Sequence, residues 1–188
     1  LCPFFFDITK VKSHMDIYVA NEKYDGYLRD GCVFRNDVNI FDKMAATIHY
    51  KNGVQVAYSL TTYSPYEGYR IAFNGTKGRL EAWIQESRKT SDVNYDEIVL
   101  FKNFSKREYI HIPFGTSGHG GGDALLKDQL FLPNVDDPYR QCANSRDGAL
   151  ACLVGIAARN SIATKQPVKI ADLTSISPME KKQYKRIL

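Results

Sequence analysis

Lys43-Met44-Ala45-Ala46-Thr47-Ile48-His49-Tyr50-Lys51-Asn52-Gly53-Val54-Gln55-Val56-Ala57-Tyr58-Ser59-Leu60-Thr61-Thr62 alternates in apolar character on both sides of Asn52-Gly53. Met44, Ala46, Ile48 and Tyr50 fall on one face, and Val54, Val56, Tyr58 and Leu60 continue the pattern after the dipeptide. Period-two alternation is the signature of a half-buried strand, and Asn-Gly suits a type I′ turn, so the stretch predicts a β-hairpin. Working outward, Tyr69 to Asn74 and Arg79 to Gln85 predict a second pair of strands around Gly75-Thr76-Lys77-Gly78. Glu97 to Phe101 and Glu108 to Ile112 predict a third pair, beyond the polar run from Glu86 to Asp96. The expectation is a meander of six mostly antiparallel strands.

Helical periodicity begins only after the strands. Asp123 is placed to cap a helix that turns Leu126, Leu130 and Phe131 inward and ends at Pro133. Ser145 opens a longer helix with Ala149, Cys152, Leu153, Ile156 and Ala157 at helical spacing, expected to be the core helix. Cys152 reads there as a small core hydrophobe. Pro167-Val168-Lys169-Ile170 predicts a last short strand, and Ser177 onward a polar terminal helix. Strands followed by helices predict an α+β fold, a broad and mostly antiparallel sheet with helices packed on one face. The domain proper is expected over 41–173, preceded by an irregular segment over 1–40 and followed by a polar tail over 174–188. The sheet's other face, semi-apolar through Ala57, Ser59, Thr61, Ala72 and Ala82, is expected to meet a second copy or another domain.

At 188 residues the chain is long enough for one domain with a full core. Hydrophobic residues make up 44% and no apolar run reaches membrane-spanning length, which predicts a soluble protein and leaves both cytoplasmic and exported compartments open. The net charge of +4 is dispersed except at Lys181-Lys182-Gln183-Tyr184-Lys185-Arg186, too short a basic run to argue for nucleic acid. Cys2, Cys32, Cys142 and Cys152 show no C-x-x-C spacing, which argues against a zinc site. Leu1-Cys2-Pro3 carries no initiator Met, basic n-region or cleavage site, so the chain is expected to be cut from a longer protein.

Two loops carry residues suited to chemistry. Gly118-His119-Gly120-Gly121-Gly122-Asp123 places an imidazole and a carboxylate at the ends of a glycine run. Four glycines cost conformational entropy on folding, so a binding loop explains them better than a flexible turn does. His119 is then expected beside a substrate hydroxyl, with Asp123 orienting a hydroxyl or capping the helix. A dinucleotide fingerprint is rejected, since Asp123 stands where the third glycine belongs and no βαβ unit follows. Thr62-Tyr63-Ser64-Pro65-Tyr66-Glu67-Gly68-Tyr69-Arg70 is the second loop, in which Tyr63 and Arg70 are suited to a polyol or a carboxylated sugar. The same residues also fit a surface turn with an exposed Glu67–Arg70 pair. His49 and His111 read as ordinary sheet residues.

Tyr63-Ser64-Pro65-Tyr66-Glu67-Gly68-Tyr69-Arg70-Ile71-Ala72-Phe73-Asn74-Gly75-Thr76-Lys77-Gly78-Arg79-Leu80-Glu81 resembles the central strands of the C-terminal domain of the Gfo/Idh/MocA oxidoreductases. Gly118 to Asp123 resembles that family's Gly-His-Gly-Gly-x-Asp loop. Asp147-Gly148-Ala149-Leu150, Ala157-Ala158-Arg159-Asn160-Ser161 and Val168-Lys169-Ile170-Ala171-Asp172-Leu173 are similar to its closing helix and strand, and Asp25-Gly26-Tyr27-Leu28-Arg29-Asp30 to a segment of one branch. The resemblance runs from about Asp25 to Leu173. It implies a two-domain enzyme, with an N-terminal Rossmann domain holding NAD or NADP and an α+β domain that shapes the substrate site and builds an oligomer through its sheet. The implied chemistry is hydride transfer to or from a sugar, polyol or related compound. The catalytic Lys and the Asp-x-x-x-His pair are expected upstream of this chain, since His14-Met15-Asp16 does not match them. This chain alone is therefore expected to be inactive and to hold no cofactor or metal, with His119, Asp123, Tyr63 and Arg70 as substrate-binding candidates. An NAD-dependent glycoside hydrolase of the same family and a non-catalytic sugar-binding or assembly module are the alternatives.

Overall fold

The computed structural model describes residues 2–86, 92–115, 118–139 and 141–176. The chain forms two compact units, Leu1–Tyr63 and Ser64–Leu188.

In the first unit, β1 (Lys43–His49) and β2 (Gln55–Thr61) pair antiparallel with Lys43 opposite Thr61 and His49 opposite Gln55. Met44, Ala46 and Ile48 share a face with Val56, Tyr58 and Leu60, as their alternation predicts. The turn differs in type. Gly53 N–H donates to the Tyr50 carbonyl and Tyr50 N–H to the Val54 carbonyl, closing a three-residue loop with Gly53 at φ 88°. A type I′ turn needs positive φ at Asn52 as well, and Asn52 does not have it. Its side-chain oxygen instead accepts from Val54 N–H.

The segment over 1–40, expected to be irregular, carries α1 (Lys12–Ile17), α2 (Glu22–Asp25) and 3-10 turns at Ile8–Lys10 and Val19–Asn21. Each is too short for a 3.6-residue apolar repeat to build up. Aromatic contacts organise them. His14 lies edge-on between Phe6 and Tyr18, Tyr18 meets Tyr27, and Arg29 sits over the Tyr18 ring.

The second unit contains β3 (Gly68–Gly75), β4 (Gly78–Gln85), β5 (Tyr95–Lys102) and β6 (Glu108–Pro113), an antiparallel meander in that order. The class is α+β and every strand pair among the described residues is antiparallel, but their six strands divide into sheets of two and four rather than one. Directly opposed residues share a face. The register therefore puts Arg70, Trp83, Glu97 and His111 on one row across all four strands, with Ala72, Glu81, Val99 and Tyr109 on the next. The opposite face carries Ile71, Ala82, Ile98 and Ile110. Ala72 and Ala82 thus lie on opposite faces, and Ala57 and Ser59 belong to the other sheet, so the five residues expected on one semi-apolar face do not share it.

After β6, α3 (Gly122–Phe131) and α4 (Ser145–Thr164) follow. Leu126, Leu130 and Phe131, expected inward on α3, are exposed. In α4, Asn144 and Asp147 form a capping box, the Asn144 side chain accepting from Asp147 N–H and the Asp147 carboxylate from Asn144 N–H. The sheltered stripe runs through Ala149/Leu150, Leu153/Val154, Ala157/Ala158 and Ser161/Ile162, with Ala157 buried. Ala149, Leu153 and Ala157 sit where the periodicity places them, whereas Cys152 and Ile156 face outward. Residues 149–158 are apolar or small almost all round, so their pattern sets the helix but not its rotation. Pro167 to Lys169 joins no strand among the described residues, and Ile170–Asp172 forms a 3-10 turn. The terminal helix expected from Ser177 lies outside the described residues.

Candidate functional site

The chain leaves β6 through Phe114, whose N–H donates to the Asn94 carbonyl. A 3-10 turn at Gly118–Gly121 then leads into α3. His119, Gly120 and Gly121 take φ values of 50°, 65° and 99° in succession. Glycine adopts that region readily. A non-glycine side chain there is uncommon, and His119 is held in it by what its ring contacts.

That contact is Asp123. His119 Nδ1 and Asp123 Oδ1 are 2.8 Å apart. An ionised carboxylate can only accept, so Nδ1 carries the proton and Nε2 is the basic nitrogen. The His119 side chain is 87% exposed and Asp123 46%, so the orienting group is the more sheltered of the two. Asp123 does not cap α3, as its sequence position suggests. Gly121 is the N-cap residue, with no side-chain cap bond, and the Asp123 carboxylate serves the imidazole instead. Two further glycines are explained by space. A side chain on Gly118 would meet Asp123 Oδ2, and one on Gly115 would meet the Gly120 carbonyl.

On the polar face of the four-stranded sheet lies an open groove of about 540 Å³, lined among others by Arg70, Arg79, Glu81, Trp83, Tyr95 and Glu97, with Phe114 at its margin. The Arg70 guanidinium carbon sits over the Trp83 ring, 4.3 Å from its centre, and Tyr66 meets that ring edge-on. Tyr95 stacks on His111 with centroids 4.0 Å apart, and His111 Nε2 lies 3.3 Å from Glu97 Oε2. His119 and Asp123 do not line the groove. Because Gly115 follows Phe114 and packs against Gly120, the His119 turn lies only a few Cα steps, each about 3.8 Å, from that margin.

The structure therefore joins His119 to Asp123 and places Arg70 in the groove. Tyr63 belongs to the first unit, where its ring stacks on Phe34 at 5.5 Å and meets Phe4 edge-on. Trp83, Tyr95 and Glu97, which line the groove, were not singled out in the sequence, and His111 lies in β6, as its alternation suggested. The usable signal was every second residue of β4 and β5, where Arg79, Glu81, Trp83 and then Tyr95, Glu97 give one strand face an aromatic and charged character.

Residues 7–170 match the family described as "Oxidoreductase family, C-terminal alpha/beta domain". The chain belongs to the Gfo/Idh/MocA oxidoreductase family. This Gfo/Idh/MocA domain is also 33% identical over 165 residues to a Bacillus subtilis (strain 168) protein named "Putative oxidoreductase YteT". The match covers 85% of the chain and 38% of that relative, so the chain spans well under half its length. No solved structure matches significantly. Family members typically depend on NAD(P). Among the described residues no three His, Cys, Asp or Glu side chains gather to hold a metal ion. No helix among them is long and apolar enough to cross a membrane.

Proposed function

We propose that this Gfo/Idh/MocA domain is the substrate-binding part of an NAD(P)-dependent oxidoreductase acting on a sugar, polyol or related compound. The observation that carries the reading is the His119 Nδ1–Asp123 Oδ1 contact of 2.8 Å within a glycine turn. Asp123 fixes the tautomer, and Nε2 is presented outward to accept a proton or hydrogen bond from a substrate hydroxyl. Arg70 supplies a cation on the neighbouring groove.

The residues present do not fit the dinucleotide. A Rossmann site needs parallel strands joined through a helix whose N-terminus receives the pyrophosphate, and every strand pair among the described residues is antiparallel. No step through the cofactor is assigned to this chain, and the hydride-transferring groups are proposed to lie in another part of the protein. Self-association is proposed through the exposed hairpin face bearing Ala57 and Ser59, which light scattering over a concentration series reads.

The test is kinetic, on the complete enzyme. His119→Ala lowers kcat/KM by about a hundredfold or more without changing thermal stability, the usual contribution of a positioned proton-transfer group. Asp123→Asn keeps the size of the side chain, loses the charge, and gives a smaller loss with an altered pH profile. Wild-type kinetics in both variants overturn the reading. On the isolated chain, calorimetry with NAD and NADP is expected to show no binding, and micromolar affinity would refute the division of labour.

A further inference from the structure

The groove holds a feature that the His119 turn does not explain. Arg79 donates to Glu81, and to Asn74 Oδ1 at 2.7 Å, whereas Arg70 donates to no carboxylate or carbonyl among the described residues. Its guanidinium is held over the Trp83 ring, which occupies its face and leaves its N–H edge to something else. A planar fork held this way matches the two oxygens of a carboxylate. Beside it, Trp83 remains 44% exposed, so indole surface is available to an apolar ring face. Across the row, the Glu97 carboxylate supplies hydrogen-bond acceptors about two strand spacings from Arg70, roughly 10 Å, the scale of one sugar ring and its substituents, and the Tyr95–His111 stack lies beyond it.

We propose that this groove binds a pyranose bearing a carboxylate, with the acid group on the N–H edge of Arg70, ring C–H groups against the part of Trp83 that Arg70 leaves exposed and ring hydroxyls turned toward Glu97. The proposal rests on the substrate-binding reading of Arg70 but not on the chemistry of His119. It names the substrate class as acidic sugars.

Trp83 is the chain's single tryptophan, so its emission reports this groove alone. Titration of the chain with glucuronate is expected to give a saturable change in that emission, with glucose about tenfold weaker or more, since a charged hydrogen-bonded pair is lost. Arg70→Gln abolishes the difference between the two sugars. Arg70→Lys, which keeps the charge but not the fork, retains part of it and shows that the sheet still folds. Equal response to both sugars, or an unchanged titration in Arg70→Gln, overturns the proposal. Emission that follows protein concentration rather than sugar also overturns it, because the face is then a contact between copies. The readout needs no turnover. Failure here leaves the His119 kinetics standing, and failure of those kinetics leaves this titration standing.

Discussion

The two units use similar residues to different ends. In Leu1–Tyr63, aromatic and charged side chains close on one another, with Phe4, Phe34 and Tyr63 in mutual contact and Arg29 laid on Tyr18. In Ser64–Leu188 the same types stay partly open. Arg70 lies on Trp83 with its N–H edge unpaired among the described residues, and His119 is turned by Asp123 with its ring largely exposed to solvent. Residue type alone does not mark a site. What separates the units is whether the polar end of each pair is left facing solvent after its partner has fixed it.

Short of removing His119 itself, the largest effect that would break this contrast is at Gly118. A side chain there meets Asp123 Oδ2, so Gly118→Val displaces the carboxylate and frees the imidazole to rotate. Turnover of the complete enzyme is expected to fall about tenfold or more, on the scale of a lost orienting group, with secondary structure by circular dichroism retained. Unchanged kinetics would mean that the pair does not orient His119 for catalysis, and the second unit would then be as closed as the first.

Tyr63 tests the contrast from the other side. Its ring contacts with Phe34 and Phe4 give it a structural task, so Tyr63→Ala is expected to lower stability by about 1–2 kcal/mol in urea unfolding. Substrate affinity in the complete enzyme is expected to stay at the wild-type value. A raised KM with unchanged stability would move Tyr63 into the binding group and dissolve the distinction between the units.

Legibility in the sequence followed the range of the interaction. Each of the six strands was readable because alternation is local, and β1 to β6 begin and end within about two residues of their predicted bounds. Their division into two sheets was not readable, since pairing between hairpins depends on contacts distant in sequence. The helix from Ser145 was legible in length but not in rotation, because Ala149 to Ala158 offers no polar side to orient it. The candidate site divides in the same way. His119 and Asp123 lie four residues apart and could be joined from spacing, though the two roles expected of Asp123, orienting a hydroxyl or capping the helix, did not include the imidazole that its carboxylate contacts. Arg70, Trp83 and Glu97 meet only through the register of three strands, which no single stretch of chain encodes.

The smallest expected effect lies in the first unit, at Asp7. Its carboxylate accepts from the Thr9 hydroxyl and backbone N–H and faces Lys10 at 3.7 Å. The Thr9 hydroxyl bond, foremost among these, holds the Asp7 pKa below its ordinary value of 3.8, against a smaller opposing effect of burial. A carboxyl group whose folded pKa is depressed binds fewer protons folded than unfolded. Its contribution to stability is therefore present above the ordinary value of 3.8 and is lost as pH falls through the lowered one. Urea unfolding of the wild type and Asp7→Asn, repeated from neutral pH downward, is expected to show a small constant gap that closes only below that window. A gap that persists in acid would assign the effect to the geometry of the 3-10 turn at Ile8–Lys10, and Asp7 would then act in its unit as a shape rather than as a charge.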